Sequence, residues 1–266
     1  MKKIILATLV AFMVTGVQAQ IVSSKNSRLT VEKQAKVKPE IANYNRFSLG
    51  LSTNKFKTSD DNLFKFKIDG KREESMTLKG LDINYMRGIS LTQKFPLYLE
   101  VGGRLTYETL KSTNKDGGNN WSEKETERFN LLSLSVPVNV TYKYTFSNGF
   151  YLAPFVGIHF RLNLMANDKW EYEETYYGET EKEDGKMSFF KADEEDEDAY
   201  FDEDMDVCKR FQFGGQVGLN FGYKALNIGL GYYFDTPFYK YDSDTNSSND
   251  FKIKSGGVAL TVGVNF

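Results

Sequence analysis

The sequence holds one cysteine, Cys208, one histidine, His159, and five prolines among 266 residues. A single thiol cannot close an internal disulfide, so the fold must stand without covalent staples. One histidine and one cysteine leave no Cys/His set at metal-ligand spacing, and they restrict Ser/His/acid chemistry to one candidate base. After residue 19 no run approaches the ~18–20 apolar residues of a membrane helix. A glycine-rich phosphate cradle and a basic nucleic-acid patch are missing too, so no cofactor and no nucleic-acid partner is expected.

What the chain has is aromatic residues, 15% of the total, with 21 Phe and 16 Tyr. Such rings fit a pleated surface and point toward strands. The first 19 residues differ in kind: Lys2 and Lys3, an apolar run over 4–14, then Val17-Gln18-Ala19. This predicts a signal peptide cleaved before Gln20 and an exported mature chain. Residues 20–42 are polar, with Lys25, Arg28, Lys33, Lys36 and Lys38. They are read as a flexible periplasmic segment without a periodic apolar face.

From Asn43 onward, period-two alternation recurs and predicts eight strands, near 43–55, 79–89, 97–110, 128–144, 150–164, 210–223, 226–235 and 253–266. The connections alternate strictly in length. Residues 56–78, 111–127, 165–209 and 236–252 read as long loops, while 90–96, 145–149 and 224–226 are short. That order places every long loop at one end of an up-and-down antiparallel barrel and the short turns at the other, as in transmembrane barrels.

Alternation alone does not say which face meets lipid; the opposite face decides. Along 210–223, Phe211, Phe213, Val217, Leu219 and Phe221 oppose Gln212, Gly214, Gln216, Gly218 and Asn220. The last two strands repeat the contrast, with Ile228, Leu230, Tyr232 and Phe234, then Val258, Leu260, Val262 and Val264, against glycines, amides and other small residues. A water-facing surface would be about 25–35% charged; small neutral residues suit the cramped interior of an eight-stranded barrel instead. The bulky face is therefore assigned to lipid. Other strands place charges on the inner face: Arg46, Asp82, Glu100, Arg104, Glu108, His159 and Arg161. Their mixed signs allow pairing where an unpaired charge would be costly. A filled polar lumen is expected, with a narrow channel for ions or small solutes as the alternative. Tyr44, Phe95, Tyr98, Tyr142, Tyr144, Phe146, Phe150, Tyr151 and Tyr223 cluster at the short-turn end and read as an interfacial girdle.

The stretch Gly257-Val258-Ala259-Leu260-Thr261-Val262-Gly263-Val264-Asn265-Phe266 resembles the last strand of outer-membrane β-barrels. In that family an alternating apolar segment ending in Phe is read by the barrel-assembly machinery, which here implicates Leu260, Val262, Val264 and Phe266. Over about residues 43–266 the pattern resembles the porin-family, or outer-membrane β-barrel domain, proteins, related in architecture to OmpA, OmpX, OmpW and PorT-like barrels. The resemblance implies the cell outer membrane, with lipid and lipopolysaccharide around the barrel, loops outside and termini in the periplasm. It names no activity. Deacylase barrels of similar architecture carry His and Ser two residues apart on the lipid side, whereas here Arg161 follows His159 at that spacing. Ten-stranded protease barrels need more strands. A non-enzymatic envelope or surface-interaction role, within a secretion or adhesion assembly, is expected.

The loop read over 165–209 stands apart. Between Asp168 and Asp206 lie eighteen acidic residues and four lysines, a net −14 in a chain whose total is −2. Asp193, Glu194, Glu195, Asp196, Glu197, Asp198, Asp202 and Asp204 are weak candidates for divalent cations, without the spacing of an EF-hand. A cationic protein partner drawn by electrostatic steering is another expectation. Trp170, Tyr172 and Tyr176 alternate with acidic residues where this loop begins, so the fifth strand can continue as a protruding hairpin with an edge open to a partner strand.

Overall fold

Ser48, Ser52 and Asn54 on one side of a segment, with Phe47, Leu49 and Leu51 on the other, suit a strand whose faces meet different surroundings. The computed structural model describes residues 41–59, 65–190, 208–241 and 251–266, and these contain thirteen strands. They are β1 (Tyr44–Thr58), β2 (Phe66–Ile68), β3 (Lys71–Glu73), β4 (Ser75–Ser90), β5 (Leu97–Gly117), β6 (Trp121–Tyr142), β7 (Tyr144–Thr145), β8 (Phe150–Tyr176), β9 (Glu179–Ser188), β10 (Phe211–Tyr223), β11 (Leu226–Asp235), β12 (Tyr239–Tyr241) and β13 (Phe251–Asn265).

Eight strands form a closed antiparallel ring in the order β1-β4-β5-β6-β8-β10-β11-β13, and β13 pairs back onto β1 from Arg46↔Asn265 to Thr58↔Ile253. Closure removes sheet edges from the ring. This is the expected eight-stranded, up-and-down transmembrane barrel. The outer face carries the apolar rows: Leu51, Leu81 and Phe160 are 62%, 62% and 55% exposed, while Ser48, Ser52 and Asn54 are buried. From Phe211 to Tyr223 the lipid-facing row of β10 runs roughly 40 Å at about 3.3 Å per residue. Inclined near 40°, it rises roughly 30 Å, the thickness of a bilayer's hydrocarbon core.

Beyond that belt the polarity reverses. Lys55, Lys57, Lys79 and Lys254 point outward, and Phe56, Leu78 and Ile253 on the same strands are buried inside. β1, β4 and β13 are thus apolar outside where they cross lipid and apolar inside where they leave it.

Two loop boundaries need correction. Residues 111–127, expected as a loop, are mostly strand: β5 and β6 stay paired out to Gly117↔Ser122. Residues 165–176, also expected in a loop, complete β8, which pairs with β9 through Asn167↔Ser188 to Tyr176↔Glu179. Above the belt both faces of these strands meet water, so the alternation that marks a strand in lipid fades. Tight turns close the extra hairpins. Asp69 and Gly70 have φ of 48° and 73°, and Tyr177 and Gly178 have 49° and 87°, the paired positive values of a two-residue hairpin turn. One extra residue, Leu164, interrupts the β6–β8 register between Leu132 and Ser133. This bulge switches the parity of β8 above it.

Candidate functional site

The seven predicted lumen residues are all buried inside the barrel. Near the short-turn end, Arg46 Nη1 lies 2.8 Å from Glu100 Oε1. The same carboxylate accepts hydrogen bonds from Tyr44 Oη at 2.5 Å and Thr141 Oγ1 at 2.9 Å. Farther along the axis, Arg104 Nε lies 3.7 Å from Asp82 Oδ2 and Arg161 Nη1 lies 2.9 Å from Asp235 Oδ2. Two guanidinium groups lie over the Tyr233 ring, Arg104 at 4.9 Å and Arg161 at 4.8 Å from its centroid, and its hydroxyl lies 2.8 Å from Thr53 O and 3.2 Å from Glu108 Oε1. Three arginines thus face three carboxylates, His159 is held against Asp235 beside Arg161, and the fourth carboxylate, Glu108, meets Tyr233. A cavity of about 50 Å³ lies beside Arg104, Asp82 and Asn84, room for a few waters.

Several members of this network escaped the sequence reading. Asp235 continues the inward row Asn227, Gly229, Gly231, Tyr233, so strand parity alone could have assigned it. Tyr44, Tyr98 and Tyr151, expected in the lipid girdle, are instead buried in the lumen. Their parity matches that of Arg46, Glu100 and Ala153, and the clustering of aromatics at one end masked it. Phe95, Tyr142, Tyr144, Phe146, Phe150 and Tyr223 do lie on the outside. Leu260, Val262 and Phe266 are exposed on the outer face of β13, with Val264 between them half-buried.

Above the charged layers the interior becomes an apolar cap. Phe56, Phe66, Leu78, Leu131, Phe238, Tyr239 and Ile253 pack around Cys208, and the Phe56 and Phe238 rings meet edge to face at 5.3 Å. Burial pushes the Cys208 thiol up to about 12, which keeps it protonated and unreactive.

Over the rim, the upper parts of β5, β6 and β8 join β9 in one protruding sheet with segregated charge. Register places Trp170, Tyr172, Glu174 and Tyr176 of β8 on one face with Glu127, Glu125, Glu123 and Trp121 of β6, and with Gly185, Glu183, Glu181 and Glu179 of β9. That face has no basic residue on these three strands; Lys67 of the β2–β3 hairpin reaches Glu125 Oε2 at 2.8 Å. The opposite face carries Lys124, Arg128, Lys169, Lys182 and Lys186 together with Glu171, Glu173 and Asp184, so it is mixed in sign with cations in excess. There Glu173 sits between Lys124 at 3.7 Å and Lys182 at 3.2 Å, and these cations, Lys182 first, hold its carboxyl below the usual range. On the acidic face burial and the neighbouring Asp168 and Glu125 push Glu127 up to about 7, against the pull of Lys67. The Trp170 ring lies over Gly185, where a Cβ would come within 2.5 Å of it; glycine in β9 is what admits the indole.

Asp193, Glu194, Glu195, Asp196, Glu197, Asp198, Asp202 and Asp204 lie outside the described residues, as do the predicted signal peptide and the segment 20–42. Among the described residues no three potential ligands converge on a metal position.

The crystal structure of Ail, the attachment invasion locus protein of Yersinia pestis, is 11% identical over 84% of this chain and 98% of that one, with a TM-score of 0.32. Neisserial surface protein A is 12% identical over 83% and 97%, at 0.33. OmpT, the outer membrane protease of Escherichia coli, is 13% identical over 87% and 99%, at 0.40. No curated protein matches the sequence. Residues 18–243 match a family model across most of the barrel, and with a closed eight-stranded ring, a lipid-facing apolar belt and a polar interior the chain belongs to the outer membrane protein beta-barrel domain family.

Proposed function

We propose that this protein is a closed, non-enzymatic outer-membrane barrel that works in surface interaction, as a component of an envelope, secretion or adhesion assembly. The observation that carries this reading is the filled lumen. Arginine, carboxylate and tyrosine side chains cross-link the interior, and the apolar cap stands over them. A conducting path would have to break buried ion pairs at a cost of several kcal/mol each. His159 is fully buried and its Nε2 is engaged by Asp235 at 2.5 Å, so the chain's one histidine presents no base to a lipid substrate.

Short turns at one rim and long hairpins at the other follow the pattern of periplasmic turns and outer loops, which supports a surface position for the protruding sheet. Its basic face, with Lys124, Arg128, Lys169 and Lys186, then stands just beyond the apolar belt, where lipopolysaccharide phosphates lie. The row Leu260, Val262, Val264 and Phe266 suits recognition by the barrel-assembly machinery before β13 seals onto β1.

Planar-bilayer recording tests the reading. The expected trace shows little or no steady current, and a stable porin-like conductance from the intact chain would overturn it. Cleavage of the β8–β9 hairpin by protease added to intact cells tests the orientation, and unchanged lipid A acyl chains on expression test the absence of lipid chemistry.

A further inference from the structure

The acidic face of the protruding sheet ends at a strand edge. Among the described residues β9 pairs only with β8, and its residues from Glu179 to Asp184 are all exposed. Such an edge presents a row of backbone donors and acceptors. Along it, Glu179, Glu181 and Glu183 point to the same side, roughly 7 Å apart at about 3.3 Å per residue.

Compare the two faces at one level of the sheet. On the basic face Lys124, Glu173 and Lys182 alternate in sign and pair. On the other face, at the same level, Glu123, Glu174 and Glu181 stand side by side across three strands. Directly opposed like charges destabilise a sheet, and neither β6, β8 nor β9 supplies a cation on that side. At the foot of this face Asp168 is a buried residue, 7% exposed; backbone N–H groups of Arg128 and Lys169 bond to its carboxyl, while its Oδ1 has no hydrogen-bond partner among the described residues. The carboxylates are spread in a ladder, not gathered on a point, and no three of the described ones meet as a metal site. A ladder of anions is complemented by a ladder of cations.

We propose that the β9 edge accepts an extended segment of a partner protein by strand addition, with lysine or arginine at alternate positions beside Glu179, Glu181 and Glu183. Backbone hydrogen bonds supply affinity and the alternating cations supply register. The residues between them face Thr180, Lys182 and Asp184, so neutral side chains suit those places. A second copy of β9 is disfavoured, because its glutamates would oppose these. The proposal rests on the surface reading above only for where the partner comes from, since binding itself is a property of the purified chain.

The test uses the full chain in detergent micelles and two fluorescent ten-residue peptides of equal composition. In one, lysine alternates with threonine; in the other, the lysines form a single block. The alternating peptide is expected to bind about tenfold tighter, the effect of three cross-strand charge pairs. The exposed double variant Glu181→Lys, Glu183→Lys is expected to remove that preference. On the unaltered protein, N-methylation of one alternate set of peptide amides is expected to abolish binding while methylation of the other set is tolerated, because one edge of the added strand faces β9. Equal affinity of the two peptides, equal effects of the two methylation patterns, displacement of the peptide by calcium at equal ionic strength, or dimers of the chain that the peptide fails to dissociate would each overturn the proposal. A hairpin inaccessible in intact cells would sink the surface reading while leaving the peptide result standing.

Discussion

His159 Nε2 and Asp235 Oδ1 lie 2.5 Å apart although their strands do not touch. β10 runs between β8 and β11, and its Gly214 is registered against both residues. A Cβ at Gly214 would stand 2.6 Å from the His159 ring. Glycine therefore opens a gap through which histidine and aspartate meet over an intervening strand. Asp235 also lies 2.9 Å from Arg161, so one carboxylate answers two buried nitrogen groups.

Removing that carboxylate leaves Arg161 buried without its partner. Asp235→Ala is expected to destabilise the barrel by about 3–5 kcal/mol, the usual cost of breaking one side of a buried ion pair. Urea unfolding in micelles checks this, with exposed Asp184→Ala as a control within about 0.5 kcal/mol of the parent. Equal midpoints for the two variants would show that Asp235 holds nothing together.

The barrel was legible because lipid makes alternation loud. Leu81 and Ile83 against Asp82, or Val217 and Leu219 against Gly218, leave no doubt about period or side. The protruding sheet was partly silent because both of its faces meet water, so Glu123 and Lys124 look alike to a hydrophobicity argument although they point in opposite directions. Only the aromatics Trp170, Tyr172 and Tyr176 gave the continuation of β8 away. The lumen charges follow from parity, which also reaches Asp235, at the last position of β11, and Tyr44, which shares the short-turn end with outward-facing aromatics. The cap was beyond reach, because Phe66, Phe238 and Cys208 come from segments without periodicity and meet only when the ring closes.

Phe155 shows how tightly the lumen is filled. It points inward, and a Cβ at Gly218 would lie 2.4 Å from the edge of its ring. Gly218→Ala is expected to destabilise by about 1–3 kcal/mol through overpacking. Adding Phe155→Leu should restore part of the loss, with a coupling above roughly 0.5 kcal/mol in the double-mutant cycle. Strict additivity would mean that the ring does not need the glycine.

Cys208 offers a clean reporter of the cap because it is the chain's one thiol. With its titration pushed up to about 12 by burial, it holds almost no thiolate at pH 8, and the surrounding rings exclude reagent. Maleimide labelling is expected to be negligible in the folded protein and complete after unfolding. Leu78→Ala, which removes a buried neighbour of the cap, should open it and speed labelling before the barrel melts. Rapid labelling of the unaltered folded chain would show that the cap does not seal this end.

The chain's two tryptophans, Trp121 and Trp170, both lie on the protruding sheet, and Trp170 is registered against Glu127. Glu127 titrates in the folded state at about 7, chiefly through burial and then through Asp168 and Glu125; an unfolded glutamate titrates near 4.3. Between those values the folded sheet binds a proton that the unfolded chain has released. Stability of the sheet therefore falls as pH rises through that window and levels off above it. Tryptophan fluorescence in denaturant at pH 5 and pH 8 is expected to give the lower midpoint at pH 8. Glu127→Gln should flatten most of that difference, leaving the smaller contribution of Asp168, whose carboxyl burial also raises. If the variant keeps the full pH dependence, the crowded carboxylates on this face are not its source, and the charge segregation of the sheet has no energetic consequence at Glu127.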